Sequence, residues 1–502
     1  MRWATQERKM TEVPGEEELA VLGSYLPRAF TIQMLHPAIT AASLPTVGPL
    51  TIPRAAFPTF MHEISHLVQD ISTFRGIMDF LNLWDQVGAA AGHVGRSGEA
   101  VPFPVVGRNP TDHRLNDETR FAIELDFLRA KADPKHRWTR GREWKFLRYV
   151  VHPYEIPLSG RTIEGRDTIV TLVDEATGEE YSHRLGAWEI KEAYAVAVGI
   201  LHGGRPKRPE SAGFEYMVVD RILAHYFDDV TPRQCVAICH WALQDLAPAN
   251  TLFTLIEELE QGGRNLPPPE AIYDRARQEA ISREFDRNSN EVVAMLRQMA
   301  DAYGEQGNDV MEVLFRWYHD HAGRLLLLHL DLDRRFPLDT FLCQDSGAMT
   351  DAARDAALPL MFGEVHIPLL IWPDGSIYQI SADARTTSAV MFNRGVVDLF
   401  SKVWRGANPT WPCPVYNGCN FGTKDGEDCL NRPWRKGWVF PTCPYGAAAR
   451  VLGIDDGKTL VLEPFAAPPA PTSPRSRRGW IAIALLVILV AAIATGLFAA
   501  FR

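Results

Sequence analysis

The chain has no excess of positive charge, no internal repeat and no Gly-rich loop of the kind that binds phosphate. It carries 52 Lys and Arg against 62 Asp and Glu, a formal net charge of -10 over 502 residues. A general nucleic-acid binder is usually basic, so we expect no nucleic-acid partner. The first 20 residues also contain no apolar segment of the kind found in signal peptides, and we expect residues 1–26 to form a polar tail.

The segment 57–70, FPTFMHEISHLVQD, contains the pattern H-E-x-x-H within an apolar run. On an α-helix His62 and His66 lie one turn apart on the same face, where two imidazoles can bind one metal ion. Glu63 lies about 100° round the helix from His62, where it can accept a proton from metal-bound water. The segment therefore predicts a buried metal-binding helix, and Asp70 is a candidate for orienting an imidazole.

The bare pattern also arises by chance, so the metal-site interpretation depends on a third ligand elsewhere in the chain. A helix predicted over about Ala187–Leu201 offers Glu189 and Glu192, whose directions differ by only about 60°. Glu189 falls in the first turn, where the helix dipole favours a carboxylate without any metal. Glu192 shares its face with Ala195 and Gly199, small residues that would let this helix lie close to the first one. We therefore expect Glu192 to be the ligand.

The two motifs together resemble those of the gluzincin-type zinc metallopeptidases. They are more similar still to a group of poorly characterised bacterial HExxH proteins, in which a later G-x-x-x-I-x-E-x-x-A element supplies the glutamate. In this chain that element consists of Gly186, Ile190, Glu192 and Ala195. The resemblance covers roughly residues 27–227. It implies a zinc ion held by His62, His66 and Glu192, with Glu63 as the general base.

The expected activity is that of a zinc-dependent hydrolase, a metallopeptidase acting on a peptide or protein. Such enzymes need a further donor for the oxyanion, and His225 and Tyr226 are candidates because they follow the ligand helix. The alternative is that both are packing or surface residues. Two other functions stay open: a non-enzymatic membrane-anchored module with a structural metal, and a zinc hydrolase of non-peptide substrates. The oligomeric state is left open.

The expected fold class is α+β, zincin-like, mainly helical with small β-hairpins and a C-terminal transmembrane helix. Alternating apolar residues and turn residues predict one hairpin over 168–185 and another over 365–380, and short strands over 29–35 and 49–53. The expected regions after the polar tail are the HExxH domain (27–230), a mainly helical region with a hairpin (231–405), a Cys-rich segment (406–460), a Pro/Arg-rich linker (461–479) and the transmembrane tail anchor (480–501).

The segment 480–501 holds 22 residues without a charge. As a helix it would be about 33 Å long, enough to span a bilayer, although a buried core helix is the alternative. Arg475, Arg477 and Arg478 precede the segment, whereas Arg502 alone follows it. By the positive-inside rule the preceding part of the chain would face the cytoplasm, which predicts a single-pass, tail-anchored membrane protein.

Four of the seven cysteines fall in the Cys-rich segment: Cys413, Cys419, Cys429 and Cys443. Disulfides are not expected in a cytoplasmic domain, so clustered thiols suggest a metal. A second, structural zinc would hold such a loop-rich segment together, and an iron–sulfur cluster is the other metal option, since Cys is followed by Pro at both ends. The spacings of 5, 9 and 13 residues match no standard C-x-x-C pattern. Unligated buried cysteines and disulfides therefore remain alternatives.

Overall fold

The structure is a computed structural model of the chain. It describes residues 23–39, 52–94, 101–103, 143–158, 161–203, 214–339, 369–372, 377–378, 384–403, 429, 443–452 and 462–464. The α-helices are α1 (Phe57–Ser72), α2 (Phe74–Val94), α3 (Ala187–Leu201), α4 (Val218–Tyr226), α5 (Pro232–Ala242), α6 (Pro248–Glu260), α7 (Pro269–Ser282), α8 (Phe285–Glu305), α9 (Asp309–Tyr318), α10 (Arg324–Leu327), α11 (Ala384–Val403) and α12 (Pro444–Val451). Short 3-10 helices lie at Arg54–Ala56, Phe214–Tyr216 and Leu328–Leu330, and a π-helical turn at His319–Gly323.

The strands of the described residues form three small sheets. They are β1 (Gly23–Leu26), β2 (Thr31–Met34), β3 (Val101–Phe103), β4 (Trp144–Leu158), β5 (Arg161–Asp174), β6 (Glu180–Leu185), β7 (Leu369–Ile371), β8 (Ile377–Tyr378) and β9 (Leu462–Pro464). The sheet orders are β1-β2-β7-β8, β4-β5-β6 and β3-β9. In the first sheet β2 pairs parallel with β7, with Thr31 opposite Leu369, while its other pairs are antiparallel. That pairing joins segments more than 300 residues apart in sequence.

A mainly helical fold with small sheets is confirmed. The hairpin predicted over 168–185 is present, with Gly178 at a φ of +70° in its turn, where glycine is favoured. The long strand β4, which pairs with β5, was not predicted. The described end of the strand predicted over 49–53, Ile52 and Pro53, is not in a strand. The predicted tail 1–26 is wrong at its end, because β1 pairs with β2 from Gly23 onward.

The described residues pack around one hydrophobic cluster that takes side chains from both sides of the predicted boundary at residue 230. Helix α3, from the HExxH region, packs against both α1 and α5. Among the described residues no helix has the length and apolar character needed to cross a membrane. The predicted linker beyond Pro464 and the predicted span 480–501 lie outside those residues.

Helix α1 is held close to its neighbours at two glycines. A Cβ on Gly199 of α3 would lie 3.4 Å from the Pro58 carbonyl oxygen and 3.8 Å from the His62 Cβ, so the two backbones are in near contact. A Cβ on Gly76 of α2 would lie 2.3 Å from the Gln69 carbonyl oxygen, which leaves no room for any side chain there. The small-residue stripe expected on α3 therefore does bring that helix against α1.

The last turn of α1 is completed by side chains, because its final carbonyls have no helical N–H partner. The Tyr318 hydroxyl, at the end of α9, donates to the Asp70 carbonyl oxygen over 2.7 Å. The Thr73 hydroxyl donates to the Gln69 carbonyl oxygen over 2.6 Å, in addition to the Thr73 backbone N–H, which donates to the same oxygen over 3.2 Å. These bonds fix the end of α1 that carries His66.

Candidate metal centre

The two histidines of α1 and Glu192 of α3 converge on one point. The Nε2 atoms of His62 and His66 lie 3.4 and 3.5 Å from the Glu192 Oε2 atom. The imidazole rings are 5.0 Å apart and nearly perpendicular, at 85°. All three ligand atoms lie within 4.8 Å of one another, and within the described part of the chain no other set of His, Cys, Asp and Glu residues forms such a group. The predicted ligands are thus brought together.

The spacing and bonding of these atoms fit a zinc ion. Two ligand atoms about 2.1 Å from one ion at a tetrahedral angle lie roughly 3.4 Å apart, close to the spacing found here. The Glu192 Oε2 atom is buried and accepts no hydrogen bond within the chain. A buried carboxylate oxygen without a partner is costly, so it calls for a cation in this position. Two histidines and one glutamate are also a donor set that catalytic zinc sites use.

The electrostatics of the group also favour a positive charge at its centre. Burial by itself would raise the pKa of Glu192, but positive charge on His66 and the nearby His62 ring hold it well below its usual range. Burial by itself would lower the pKa of His66, but the charges of Glu192 and Glu63 outweigh it, and that pKa is raised. The ionised carboxylate is therefore the stable form of Glu192.

The side chain of Glu189 has other partners than the two histidines of α1, although it lies only one turn from Glu192. Its Oε1 atom is 3.0 Å from the His183 Nε2 atom, and its Oε2 atom accepts from the Gly186 backbone N–H over 3.0 Å. The side chain is fully buried and caps the start of α3. The structure therefore gives Glu189 the capping role expected of a first-turn carboxylate, and leaves Glu192 to face the histidines.

Asp70 does not orient an imidazole, and this prediction is wrong. Its Oδ2 atom accepts from the Tyr25 hydroxyl and the Arg28 backbone N–H, and its Oδ1 atom accepts from the Lys191 Nζ atom over 2.8 Å. The residue that contacts His66 is its sequence neighbour Gln69, whose Oε1 atom lies 3.1 Å from the His66 Nδ1 atom. Position 70 lies four residues after His66 and 69 only three, and sequence spacing alone allows either.

The two candidate oxyanion donors, His225 and Tyr226, contact a different part of the molecule from the histidines of α1. The rings of His225 and Tyr226 pack 5.1 and 5.8 Å from Phe146 of β4. Another phenol, that of Tyr216, lies beside the site, with its ring centroid 6.2 Å from that of His62. The sequence signal that selected Tyr226, an aromatic residue with a polar tip after the ligand helix, applies equally to Tyr216, which was overlooked.

Aromatic rings and one glycine shape the surroundings of the site. Tyr25 and Trp188 stack on His66 with centroid distances of 6.1 and 6.3 Å. Glu63 is 6% exposed, and a Cβ on Gly23 would lie only 2.9 Å from its Cγ atom. Strand β1 therefore lies directly against the predicted general base, and a side chain at position 23 would displace it.

The Cys-rich segment is described only in part. Cys429 is buried and Cys443 half-buried. Cys413 and Cys419 lie outside the described residues.

Comparisons of the chain with protein-family models, with curated proteins and with solved structures gave no match. The resemblance to gluzincin-type metallopeptidases therefore remains a prediction that depends on the two sequence motifs. The observations that bear on function are those of the site itself.

Proposed function

We propose that the chain is a zinc-dependent hydrolase of zincin-like fold, and specifically a metallopeptidase, in which His62, His66 and Glu192 hold zinc. The observation that carries the proposal is the buried Oε2 atom of Glu192, which has no hydrogen-bond partner and lies at zinc-ligand spacing from both imidazoles. Buried polar atoms normally have a hydrogen-bond partner, so an unmatched oxygen between two imidazoles supports a bound cation.

Zinc bound at this site would supply a Lewis acid that polarises a water molecule and a substrate carbonyl. Glu63 would accept the proton of that water and pass it to the leaving nitrogen. Its charge contributes to the raised pKa of His66, so the carboxylate lies within electrostatic reach of the ligands. Burial against Gly23 limits the positions that Glu63 can take, which suits a base that must hold one orientation.

Tyr216 would donate a hydrogen bond to the developing oxyanion, in place of His225 or Tyr226. The negative charge of Glu192 and burial raise the pKa of Tyr216 well above its usual value, so the phenol keeps its proton. A protonated phenol beside His62 is a hydrogen-bond donor of the kind that stabilises an oxyanion.

Three further assignments follow from the sequence. The segment 480–501 would anchor the protein in a membrane, with the preceding part of the chain in the cytoplasm. The substrate would be a peptide or protein. The four clustered cysteines would hold a second zinc ion or an iron–sulfur cluster.

The deciding experiment is metal analysis of the full-length protein together with a Glu63→Gln comparison. We expect the zinc content to fall by about one ion per chain in His66→Ala. It should be unchanged in the control His240→Ala, which removes a buried histidine that is not one of the proposed ligands. Glu63→Gln should keep the zinc and lose peptide hydrolysis. Equal hydrolysis by this variant and the parent would contradict the mechanism. Zinc binding without activity on broad peptide libraries would favour a structural metal or a non-peptide substrate.

A further inference from the structure

Gln69 connects the two helices that carry the metal ligands. Its Oε1 atom lies 3.1 Å from the His66 Nδ1 atom, and its Nε2 atom donates to the Lys191 carbonyl oxygen over 2.9 Å. Gln69 is fully buried, and Lys191 directly precedes Glu192 in α3. One amide group therefore contacts a ligand imidazole at one end and the backbone beside a ligand carboxylate at the other.

The donor and acceptor roles of this amide are fixed by its partners. A backbone carbonyl can only accept, so the atom facing Lys191 must be the NH₂ group of Gln69. The atom facing His66 is then the amide oxygen, which can only accept, and the proton between them must belong to the His66 Nδ1 atom. In the neutral imidazole this leaves a lone pair on Nε2, the atom that faces Glu192.

The side chain of Lys191 also forms hydrogen bonds to neighbouring residues. Its Nζ atom donates to the Asp70 Oδ1 atom over 2.8 Å and to the Asp79 Oδ2 atom over 3.2 Å. Gln69 and Asp70, adjacent residues of α1, thus form hydrogen bonds to the backbone and to the side chain, respectively, of Lys191 in α3. These contacts fix both the rotation and the axial position of α3 against α1, and with them the direction of Glu192.

We propose that Gln69 is a positioning residue that sets the Nδ1–H tautomer of His66 and, through the Lys191 carbonyl, aligns Glu192 with the two histidines. This role rests on the proposed function, because the atoms it aligns are the proposed zinc ligands. Groups that orient metal ligands typically change metal affinity by 10- to 100-fold when they are removed. Gln69→Met keeps the length of the side chain and removes both bonds, so we expect zinc affinity to fall by roughly 10- to 100-fold.

A matched control separates this role from a general loss of stability. Gln234 of α5 is also a buried glutamine whose amide joins two segments, accepting from the Thr231 backbone N–H and donating to the Pro267 carbonyl oxygen. Gln234→Met should therefore lower stability with parental zinc affinity. Gln69→Glu offers a rescue, because a carboxylate still accepts from the His66 Nδ1–H. Its zinc affinity should lie between those of the parent and Gln69→Met.

The experiment uses full-length protein and two readouts. Zinc affinity is measured by competition with a chromophoric chelator. The tautomer of His66 is read from two-bond ¹H–¹⁵N spectra of ¹⁵N-histidine-labelled, metal-free protein, recorded at a pH above the raised pKa of His66 so that the imidazole is neutral, with the signal assigned by its loss in His66→Ala. We expect the Nδ1–H form in the parent and in Gln69→Glu, and loss of that preference in Gln69→Met.

The two readouts keep this proposal and the proposed function distinguishable. Parental zinc affinity and an unchanged tautomer in Gln69→Met would overturn the role of Gln69 and leave the zinc site standing. If the parent bound no zinc, the proposed function would fail, and the tautomer would still decide the role of Gln69. Loss of the Nδ1–H form in Gln69→Met would support it, whereas an unchanged tautomer would overturn it.

Discussion

The close approach of α3 to α1 can be tested by enlarging Gly199 in two steps. A Cβ at this position would meet the Pro58 carbonyl oxygen at 3.4 Å and the His62 Cβ atom at 3.8 Å, which are ordinary contact distances. Alanine should therefore fit without moving either helix. Because glycine is a poor residue in a helix interior, Gly199→Ala should raise the free energy of unfolding by up to about 1 kcal/mol.

Valine at the same position should behave differently. Its two extra methyl groups must enter the space against the α1 backbone and His62, where overpacking typically costs about 1–3 kcal/mol. The relief of that strain is a separation of the two helices, which carries Glu192 away from the imidazoles. A zinc ion needs ligand atoms at about 2.0–2.2 Å, so we expect zinc affinity to fall at least about tenfold in Gly199→Val.

The assays are urea unfolding for stability and chelator competition for zinc affinity. Gly323→Val is the control, because a Cβ there would lie 3.2 Å from a Val293 methyl group and so overpacks a different contact. The control should lose stability and keep its zinc affinity. Parental zinc affinity in Gly199→Val would refute the reasoning. Equal loss of affinity in both valine variants would assign the effect to general destabilisation instead.

Three further predictions follow. Glu192→Ala should abolish tight zinc binding, whereas Glu189→Ala should keep the zinc and lose stability, about 1 kcal/mol from the helix cap in addition to its contact with His183; a reversed zinc content would move the ligand to Glu189. Burial lowers the pKa of His329 to about 4 and that of the adjoining His240 as well, so the folded state disfavours their protonated forms. The contribution of the two neutral histidines to the free energy of unfolding should be complete above the unfolded pKa of about 6.5. It should decline as the pH falls toward 4, by about 3 kcal/mol for His329. Urea unfolding at pH 7 and pH 5 should therefore show a smaller loss of stability in a variant with glutamine at both positions. Deleting residues 480–502 should move the protein from membrane to soluble fractions, and an unchanged distribution would contradict the anchor.

Local sequence patterns were sufficient to predict the elements that carry the site. The apolar run around the H-E-x-x-H pattern predicted α1, and the small residues after Glu192 predicted which face of α3 packs against α1. The partners of Asp70 could not be predicted in the same way. Tyr25 is 45 residues away in sequence, Lys191 is 121 and Tyr318 is 248, and a local pattern contains no information about contacts at such separations.

The bonding of the neighbouring carboxylates shows why Glu192 differs from them. All four oxygens of Asp70 and Asp79 accept a hydrogen bond, from Lys191, Arg75, the Tyr25 hydroxyl or the Arg28 backbone. Both oxygens of Glu189 also have partners. The same helices therefore satisfy every one of these buried acceptors and leave the Glu192 Oε2 atom, between two imidazoles, without a hydrogen bond. Because the fold supplies nearby donors to the other carboxylates, the unmatched lone pair supports our proposal that a cation takes the place of the missing donor.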